Sequence, residues 1–304
     1  MDTLATRITD NVGQVLIGKR SAISLAVTSL LAGGHLLIED RPGVGKTLLA
    51  RSLARSLDLP FQRVQCTADL LPSDILGGQV YHPKTGELTF RPGPVFTSIL
   101  VADELNRTPP RTQSALLESM QEGRVSIDRT SHDLPQPFFV VATQNPLNFS
   151  GTYPLPESQL DRFIMRISLG YPDAEDELKI VAREDGHRSV DNIHPIATAE
   201  DLAAARALVD HVTVDRDLIQ HMVDIAHRTR TSGDVILGVS ARGSQALHRA
   251  CRARAVYHGR DFVTPEDMRV LIRPVYAHRM RTRGGENAAE AIFNEILDGA
   301  ALPT

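Results

Sequence analysis

One stretch of the sequence, GHLLIEDRPGVGKTLLARSLA at residues 34–54, limits the possible folds more than any other. It joins an apolar run to a glycine-rich loop and then to a segment whose leucines recur every four residues from Leu49, as on one face of a helix. The end of the loop fits the pattern G-x-x-x-x-G-K-[ST], although Asp40 stands where the first glycine belongs. The stretch therefore predicts a strand, a phosphate-binding loop and a helix, the opening unit of an α/β fold.

The loop supplies the groups that a nucleotide phosphate chain needs. Gly43 and Gly45 allow the backbone to wrap close to phosphate, so that its N–H groups and the N-terminus of the following helix point at the anion. Lys46 would neutralise the β- and γ-phosphates, and the Thr47 hydroxyl would ligate Mg²⁺. Asp40 lies at the turn from strand to loop, where aspartate tolerates left-handed or turn conformations if its carboxylate points away. We expect ATP and Mg²⁺ to bind on Pro42, Gly43, Val44, Gly45, Lys46, Thr47 and Leu48.

Three apolar runs, at residues 35–38, 99–102 and 138–142, are continuous rather than alternating. This pattern is typical of parallel strands that are buried on both faces. Helical stretches separate the runs, which predicts a parallel sheet covered by helices on both sides. Ligands of such sheets bind beyond the carboxyl ends of the strands, so we expect the polar residues that follow each run to meet in one crevice.

Two of these strand ends carry side chains suited to phosphate hydrolysis. The second run ends in Asp103 and Glu104. Asp103 is placed to hold the Mg²⁺ shell through water, and Glu104 to polarise the attacking water as general base. Asn145 follows the third run, and its amide offers a donor and an acceptor to the γ-phosphate and the attacking water. Because the acidic pair follows a phosphate loop, it indicates nucleotide hydrolysis rather than storage.

Two alternating segments interrupt this first domain. Residues 79–81 and 88–90 flank the turn sequence HPKTG and predict a β-hairpin, and residues 124–127, after Gly123, begin a second one. The hairpins are either decoration on a nucleotide-binding fold or surfaces with a function of their own.

The pattern changes after residues 171–172, from where every segment indicates helix. Residues 198–201 and 264–267 are capping-box starts, and each leads into apolar residues at three- and four-residue spacing. We therefore predict two domains: a nucleotide-binding core with the two hairpins at residues 1–170, and a helical domain at residues 171–304.

The composition argues against several classes of protein. The chain has 304 residues, 42% of them hydrophobic, and a net charge of -4, so its overall charge gives no reason to expect nucleic acid or an anionic membrane as a partner. No apolar run approaches the roughly 20 residues that span a bilayer, and the N-terminal sequence lacks the regions of a signal peptide. Cys66 and Cys251 lie far apart, which favours a reducing compartment. We expect a soluble cytoplasmic protein without membrane insertion.

Several longer segments resemble one known family. GPVFTSILVADELNRTPPRTQSALLESMQEGRVSID, FFVVATQNP and YPLPESQLDRFIMRISLGYPD, in this order, are similar to the MoxR family of AAA+ ATPases. The resemblance extends from about residue 15 to the C-terminal helices. It implies an αβα sandwich with a P-loop and a parallel sheet, followed by an all-α lid domain. The departures are Asp40 in the loop and Ala241 in Ser240-Ala241-Arg242, where proline is frequent.

The resemblance also implies roles for single residues. Asn145 matches the polar sensor of the fourth core strand. Arg162 matches the arginine finger that reaches into the ATP site of the neighbouring subunit, and Arg242 matches the second sensor, which contacts the γ-phosphate of its own subunit. Ile17 and Gly18 match the segment that packs on adenine. Arginine suits the two phosphate-contacting roles because its fork donates two hydrogen bonds to phosphate oxygens and keeps its charge.

Assembly and partners follow from the same resemblance. A finger supplied in trans requires a homo-oligomeric ring, which we expect to be a hexamer. The two hairpins match inserts that face the central pore or a protein client. The implied work is chaperone-like maturation or activation of enzyme complexes, often with a von Willebrand A-domain protein as partner.

The residues alone leave alternatives open. A small-molecule kinase would use the same loop with a second substrate pocket, and a nucleotide-gated switch would bind ATP with negligible turnover. A nucleic-acid remodeller is the third alternative, since residues 242–283 are rich in arginine, although no stacking platform accompanies them. At single positions, Arg162 could pair with Asp161 or Glu157 instead, and Arg242 could be a solvated helix start.

Overall fold

The protein combines a central parallel sheet, three small antiparallel sheets and helices on both sides of the central sheet. The structure, a computed structural model, describes residues 3–128, 130–145, 151–182 and 190–299. Its strands are β1 (His35–Glu39), β2 (Phe61–Gln65), β3 (Gly77–His82), β4 (Glu87–Pro92), β5 (Ile99–Asp103), β6 (Arg124–Ile127), β7 (Thr130–Asp133), β8 (Phe139–Gln144), β9 (Phe163–Ile167), β10 (Val235–Leu237) and β11 (Arg281–Thr282). Its α-helices are α1 (Leu4–Gly13), α2 (Arg20–Leu31), α3 (Lys46–Ser56), α4 (Pro72–Leu76), α5 (Pro110–Glu122), α6 (Glu157–Leu160), α7 (Ala174–Val181), α8 (Ala199–His211), α9 (Arg216–Thr231), α10 (Ala241–Tyr257), α11 (Pro265–Tyr276) and α12 (Gly285–Asp298).

The central sheet has the strand order β2-β5-β8-β1-β9, and every neighbouring pair in it is parallel. The three middle strands are those predicted from continuous apolar runs, and their apolar side chains are buried. Successive residues of β1 face opposite sides: Leu36 and Ile38 pack with α2 and α3, and Leu37 packs in the cluster that contains Leu116 of α5. The sheet is therefore the middle layer of an αβα sandwich, as predicted.

The two edge strands were not predicted from sequence patterns. β2 has the sequence FQRVQ, in which a single residue is buried, so it has no continuous apolar run. β9 has the sequence FIMRI, interrupted by Arg166, whose Nη1 lies 2.5 Å from Glu39 Oε2. Pairing with a neighbouring strand, more than apolar content, makes β2 a strand, whereas the apolar residues of β9 are buried on both sides of Arg166.

Both predicted hairpins are present. β3 pairs with β4 around a turn at residues 83–86, and this register places Tyr81 opposite Leu88. β6 pairs with β7 in the second hairpin. The Phe90 ring stacks on the His132 ring with centroids 4.0 Å apart, so the two hairpins contact each other.

The C-terminal part of the chain is helical, as predicted, with one exception. α10 packs against α8, α9 and α11, and also against α2 of the core. Thr198 and Thr264 form the capping boxes of α8 and α11 at the predicted positions. The expectation that every segment after residue 172 is helix was wrong at β10 and β11, which pair antiparallel. These strands have three and two residues, too few to show a periodicity.

The core and the C-terminal helices share one hydrophobic cluster. Leu30 of α2, Leu53 of α3 and Leu247 of α10 all belong to it and are fully buried. Because this packing is continuous, the proposed domain boundary after residue 170 stays a prediction. None of the described helices combines the length and hydropathy that a membrane span requires.

Candidate functional site

The phosphate loop lies between the end of β1 and the start of α3. Gly43 and Gly45 have φ angles of +83° and +99°, which residues with side chains rarely adopt. A Cβ on Gly45 would also lie 2.7 Å from Leu16 Cδ1, so the loop packs closely on the N-terminal segment. Lys46 begins α3, and its Nζ donates to the backbone oxygen of Asp40 at 2.5 Å. The ammonium group and the N–H groups of the first turn of α3 therefore lie together at one helix N-terminus.

A cavity of about 410 Å³ lies against this loop. It is lined by Pro42, Gly43, Gly45, Lys46, Thr47, Leu48, Arg63, Gln65, Asp103, Glu104 and Asn145. The polar residues that follow β1, β5 and β8 thus meet in one crevice, as the sequence predicted. Val44 is buried in the core instead, and β2 adds Arg63 and Gln65, which the sequence patterns did not indicate. Pro146, which follows Asn145 in the quoted motif, lies outside the described residues.

Asp103 is held by side chains from three other elements. Its Oδ1 accepts from Thr143 Oγ1 at 2.6 Å. Its Oδ2 accepts from Thr47 Oγ1 at 3.3 Å and from Arg63 Nη2 at 2.7 Å. Thr143 also accepts a hydrogen bond from the N–H of Glu104 at 2.8 Å, so one hydroxyl orients both acidic residues. Thr143 and Arg63 were not predicted from the sequence, because both reach Asp103 from neighbouring strands.

Glu104 has a backbone conformation that is uncommon for a residue with a side chain. Its φ of 57° and ψ of 49° are left-handed, a kind of strain that is found preferentially at active sites. The carboxylate lines the cavity, and its Oε2 pairs with Arg107 Nη1 at 3.0 Å. The Nε2 of Gln65 lies 3.5 Å from the same oxygen. Two neighbours therefore hold the carboxylate at the cavity wall.

The structure gives a reason for aspartate at position 40 that differs from the expected one. Its φ is not positive, so the left-handed alternative was wrong, whereas the carboxylate does point away from the loop. Its Oδ2 accepts hydrogen bonds from Ser168 Oγ, the Leu169 N–H and the Gly170 N–H at 2.8, 2.7 and 2.6 Å, and its Oδ1 accepts from the Arg41 N–H. Burial alone would raise the pKa of Asp40, but these hydrogen bonds lower it below its ordinary value. The carboxylate thus ties the start of the phosphate loop to the segment that follows β9.

Ile17 and Gly18 lie in the connection between α1 and α2 and do not line the cavity. Gly18 has a φ of +72°, and a Cβ there would lie 2.2 Å from Asp176 Oδ2 on α7. The neighbouring Lys19 donates from Nζ to the backbone oxygen of Tyr171 at 2.7 Å. The segment therefore packs on the first residues after the core, and its contact with adenine stays a prediction.

The oxygen atoms beside Lys46 form a donor set that fits Mg²⁺. This ion prefers hard oxygen ligands and keeps several waters. The Thr47 hydroxyl and the Asp103 carboxylate supply such oxygens, 3.3 Å apart at the cavity wall. Burial lowers the pKa of Lys46 below its ordinary value, and the surrounding carboxylates offset only part of this shift. An anionic phosphate chain would further favour the charged ammonium.

A second cavity, of about 300 Å³, lies at the opposite edge of the central sheet. It is lined by His35, Met120, Gln121, Asp161, Arg162 and Arg242. His35 begins β1 and pairs in register with Phe163, which begins β9, so this edge carries the amino ends of the strands. A five-residue strand separates its first and last Cα atoms by about 13 Å. Arg162 and Arg242 therefore share a site that is separate from their own phosphate loop.

Arg162 does not form the ion pairs that its sequence neighbours offer. Asp161 pairs with Arg279, and Glu157 pairs with Arg281, each at 2.7 Å. The Nη1 of Arg162 donates to a backbone oxygen of α5 at 2.5 Å, and its Nε has no hydrogen-bond partner among the described residues. Arg162 therefore has N–H groups that its acidic sequence neighbours do not occupy.

Arg242 is exposed in the first turn of α10. The Ser240 hydroxyl caps this helix by accepting from the Gly243 N–H at 3.2 Å. The family resemblance implied that Arg242 contacts the γ-phosphate of its own subunit. In the structure, Arg242 lines the same cavity as Arg162 instead. That role stays a prediction, which this placement does not favour.

His35 forms a neutral wall of the second cavity. Burial lowers the pKa of His35 to about 4. Its Nδ1 accepts from the Val140 N–H at 3.0 Å, so Nε2 carries the proton and donates to the backbone oxygen of Met120 at 3.0 Å. The imidazole thus joins the start of β1 to the end of α5.

Comparisons with known proteins cover nearly the whole chain. Residues 35–165 match the ATPase family associated with various cellular activities (AAA), and residues 227–296 match the AAA lid domain. The chain is 43% identical to the uncharacterized protein YeaC of Bacillus subtilis, over 99% of this chain and 95% of that protein. It is 36% identical to the chaperone MoxR1 of Mycobacterium tuberculosis, over 96% of this chain and 80% of that protein. A crystal structure from Cytophaga hutchinsonii, assigned as an ATPase, matches with a TM-score of 0.89 at 35% identity, over 98% of this chain and 94% of that chain.

Proposed function

Because the chain belongs to the MoxR family of AAA+ ATPases, we propose that it hydrolyses ATP at sites shared between neighbouring subunits of a ring. Each site would combine the phosphate loop of one subunit with Arg162 and Arg242 of the next. One observation carries this proposal: the two arginines line a common cavity at the sheet edge opposite their own phosphate loop.

The proposed chemistry at the phosphate loop is attack of water on the γ-phosphorus of ATP. Lys46 and the N–H groups at the start of α3 would hold the phosphate chain. Glu104 would accept a proton from the attacking water, while Asn145 orients that water and the γ-phosphate. The bond from the γ-phosphorus to the bridging oxygen breaks, and ADP and phosphate leave. A well-placed general base contributes about 10²- to 10⁴-fold to such a rate.

Thr47 and Asp103 are the residues that would hold Mg²⁺. When bound, the ion supplies positive charge to the phosphate oxygens on which negative charge develops. Thr143 keeps the Asp103 carboxylate oriented, and the same hydroxyl fixes the backbone of Glu104. The protein thus aligns its acidic pair before the nucleotide arrives.

Arg162 and Arg242 would complete the site in trans. A site built from two different surfaces of one chain is a heterologous interface, which closes into a ring when the rotation permits, and six subunits is the number that we propose. An arginine supplied in this way accelerates related reactions by about 10³- to 10⁵-fold. ATP binding and release would then move the helical lid, proposed to begin at residue 171, against the core.

The two hairpins are the proposed contact with a protein client. Tyr81 is 59% exposed and Leu88 is 65% exposed, and they lie opposite each other near the tip of the β3–β4 hairpin. The stack of Phe90 on His132 would transmit a movement of one hairpin to the other. The name of the chaperone MoxR1 supports chaperone-like maturation or activation of protein complexes, which we place in the cytoplasm with a von Willebrand A-domain protein as partner.

Mixing two inactive variants tests the shared site. Lys46→Ala subunits cannot hold ATP but supply both arginines, whereas Arg162→Ala subunits hold ATP but lack the finger. Each variant alone should release no phosphate. A one-to-one mixture should recover about a quarter of the unmodified activity, the fraction of random interfaces that pair an intact loop with an intact Arg162.

A mixture as inactive as its components would contradict the proposal. Product analysis on the unmodified protein separates the kinase alternative, because a kinase yields a phosphorylated acceptor and an ATPase yields free phosphate.

A further inference from the structure

Arg279 is a buried arginine with no role in the proposed ATP site described above. It ends the 3-10 turn Ala277–Arg279 that follows α11, and its side chain is 3% exposed. Its Nε donates to Asp161 Oδ1 and its Nη2 to the backbone oxygen of Phe163, both at 2.7 Å. Its Nη1 donates to the backbone oxygen of Ile164 and its Nη2 also to that of Asp161, both at 3.3 Å. One lid side chain thus binds the backbone on both sides of Arg162.

The same side chain contacts the first turn of α10. A Cβ on Gly243 would lie 3.0 Å from Arg279 Cδ, closer than ordinary van der Waals contact. Ser240, the N-cap, donates from its hydroxyl to Asp161 Oδ2 at 3.2 Å. Arg242 lies in this turn, between Ser240 and Gly243. The segments that carry Arg162 and Arg242 are therefore linked through Asp161 and Arg279.

We propose that Arg279 is a positioning residue that holds Arg162 and Arg242 as one unit, so that both reach a single ATP of the neighbouring subunit. This inference rests on the proposed function. Two guanidinium groups serve one phosphate chain only if their relative placement is fixed, and a displacement of about 1 Å can lower a rate by about 10²-fold.

The chemistry of the position explains why it requires arginine. A guanidinium group has five donors in a rigid fork, so it binds a carboxylate and several backbone oxygens at once. The Nη1 of Arg279 also donates to His278 Nε2 at 2.8 Å. Burial, with the charge of Arg279, lowers the pKa of His278 well below its ordinary value, so the ring is neutral. With its proton on Nδ1, which donates to the backbone oxygen of Pro274 at 3.1 Å, the ring accepts the bond from Arg279 at Nε2. A lysine would keep a charge near Asp161, but with its three donors on one nitrogen it could not reach the carboxylate and all of the separate backbone oxygens together.

Arg281 provides a matched control on the same segment. It too pairs with an acid that precedes Arg162, since its Nη1 lies 2.7 Å from Glu157 Oε1. Its side chain is 62% exposed, however, and exposed ion pairs contribute little to geometry or stability. Replacement of Arg281 should therefore not affect the arginine pair.

The test introduces Arg279→Lys on one side of the shared site at a time. Donor subunits carry Lys46→Ala and supply only the arginines, and acceptor subunits carry Arg162→Ala and supply only the ATP site. Phosphate release is measured for one-to-one mixtures over a range of ATP concentrations. With the substitution in the donor we expect kcat to fall roughly tenfold or more with KM unchanged. With the substitution in the acceptor, or with Arg281→Ala in the donor, we expect a change below about twofold.

Three results would overturn the positioning role. No loss with the donor substitution would remove it directly. Equal losses with donor and acceptor substitutions would show that Arg279 only stabilises the lid. A parent mixture without activity would reject the shared site itself, and the role of Arg279 with it. If the parent mixture is active but Arg279→Lys in the donor does not lower its phosphate release, the shared site would stand and only the role of Arg279 would be rejected.

Ser240→Ala is the second variant, needed if Arg279→Lys fails to fold as judged by its thermal melting. Ser240 is exposed, so its replacement spares the buried bonds of Arg279 while removing the bond to Asp161 and the N-cap bond from Gly243. We expect a smaller loss of phosphate release that again occurs only in the donor, and no loss in the donor would overturn the positioning role.

Discussion

The central sheet has a carboxyl edge, where its parallel strands end, and an amino edge, where they begin, and the two are built in different ways. At the carboxyl edge, the candidate side chains lie at or soon after strand ends: Asp103 ends β5, Asn145 follows β8, and Lys46 begins the helix after the loop that leaves β1. At the amino edge, Arg162 and Arg242 come from distant segments that the lid brings together. In the proposed function, nucleotide binding would thus be a local property of the core, whereas completion of the site would depend on lid placement and on a neighbouring subunit.

Glu104→Gln should cause a large loss of turnover and tests whether the carboxyl edge separates binding from hydrolysis. The amide cannot accept the proton of the attacking water, so turnover should fall by about 10²- to 10⁴-fold while ATP affinity stays within a few fold. Single-turnover phosphate release and equilibrium binding of a fluorescent ATP analogue measure the two quantities. Glu118→Gln, at an exposed position of α5, is the control. Unchanged turnover in Glu104→Gln would support the nucleotide-gated switch.

Lys46→Ala compared with Arg162→Ala tests the division between the two edges. Loss of the charged hydrogen bonds of Lys46 should weaken ATP binding by about 10²-fold or more. Arg162→Ala should leave the ATP affinity of dilute protein unchanged, since Arg162 lies at the opposite edge of the sheet from the phosphate loop of its own subunit. Titration calorimetry measures both affinities, with Arg55→Ala on the exposed face of α3 as control. Equal losses from Lys46→Ala and Arg162→Ala would mean that Arg162 acts within its own subunit.

Asp40 should affect stability much more than affinity. Asp40→Gly and Asp40→Asn should leave ATP affinity within a few fold, because the carboxylate points away from the phosphate loop. Both should lower the free energy of unfolding by about 2 kcal/mol, the scale of hydrogen bonds to a buried charged group. Chemical denaturation measures this loss. A large gain in affinity from Asp40→Gly would show that the aspartate distorts the loop.

The stability contributed by Asp40 should depend on pH with a defined sign. Its folded pKa is lowered relative to the ordinary value of 3.8, so the ionised carboxylate stabilises the fold above that value. The difference in unfolding free energy between the unmodified protein and Asp40→Asn should therefore be largest near neutral pH. It should shrink as the pH falls below 3.8 and through the folded pKa. A difference that grows on acidification would contradict the hydrogen-bonded assignment.

Arg281→Ala should give the smallest effect. It tests whether an exposed arginine near the amino edge contributes to the free energy of unfolding. Its ion pair with Glu157 is exposed, so the unfolding free energy should change by at most about 0.5 kcal/mol. Urea denaturation of this variant beside Arg279→Lys provides the measurement. A loss from Arg281→Ala as large as that from Arg279→Lys would remove the distinction between the two arginines.

The sequence predicted the carboxyl edge well because its information is local. Strand, loop and helix follow one another in the chain around Lys46, and Asp103 and Glu104 end a strand that is recognisable from its own apolar run. Arg63 and Thr143 escaped prediction because their proximity to Asp103 depends on which strands are neighbours, and the sequence does not state the strand order.

The amino edge was less accessible to sequence reasoning. The resemblance identified Arg162 and Arg242, but their common cavity depends on how the lid packs against the core. Arg279 gave no signal of its own, since it is one of many arginines in a basic segment, and its burial exists only in the folded chain. Short pairings such as β10 with β11 were missed for a similar reason.

The most direct measurement is phosphate release per subunit as a function of protein concentration, at saturating ATP and Mg²⁺, for the unmodified protein and Arg162→Ala. A site shared between subunits predicts that specific activity rises as the subunits assemble, and that Arg162→Ala is inactive at every concentration. A specific activity independent of concentration, together with an active Arg162→Ala, would show that each subunit works alone and would contradict the shared site.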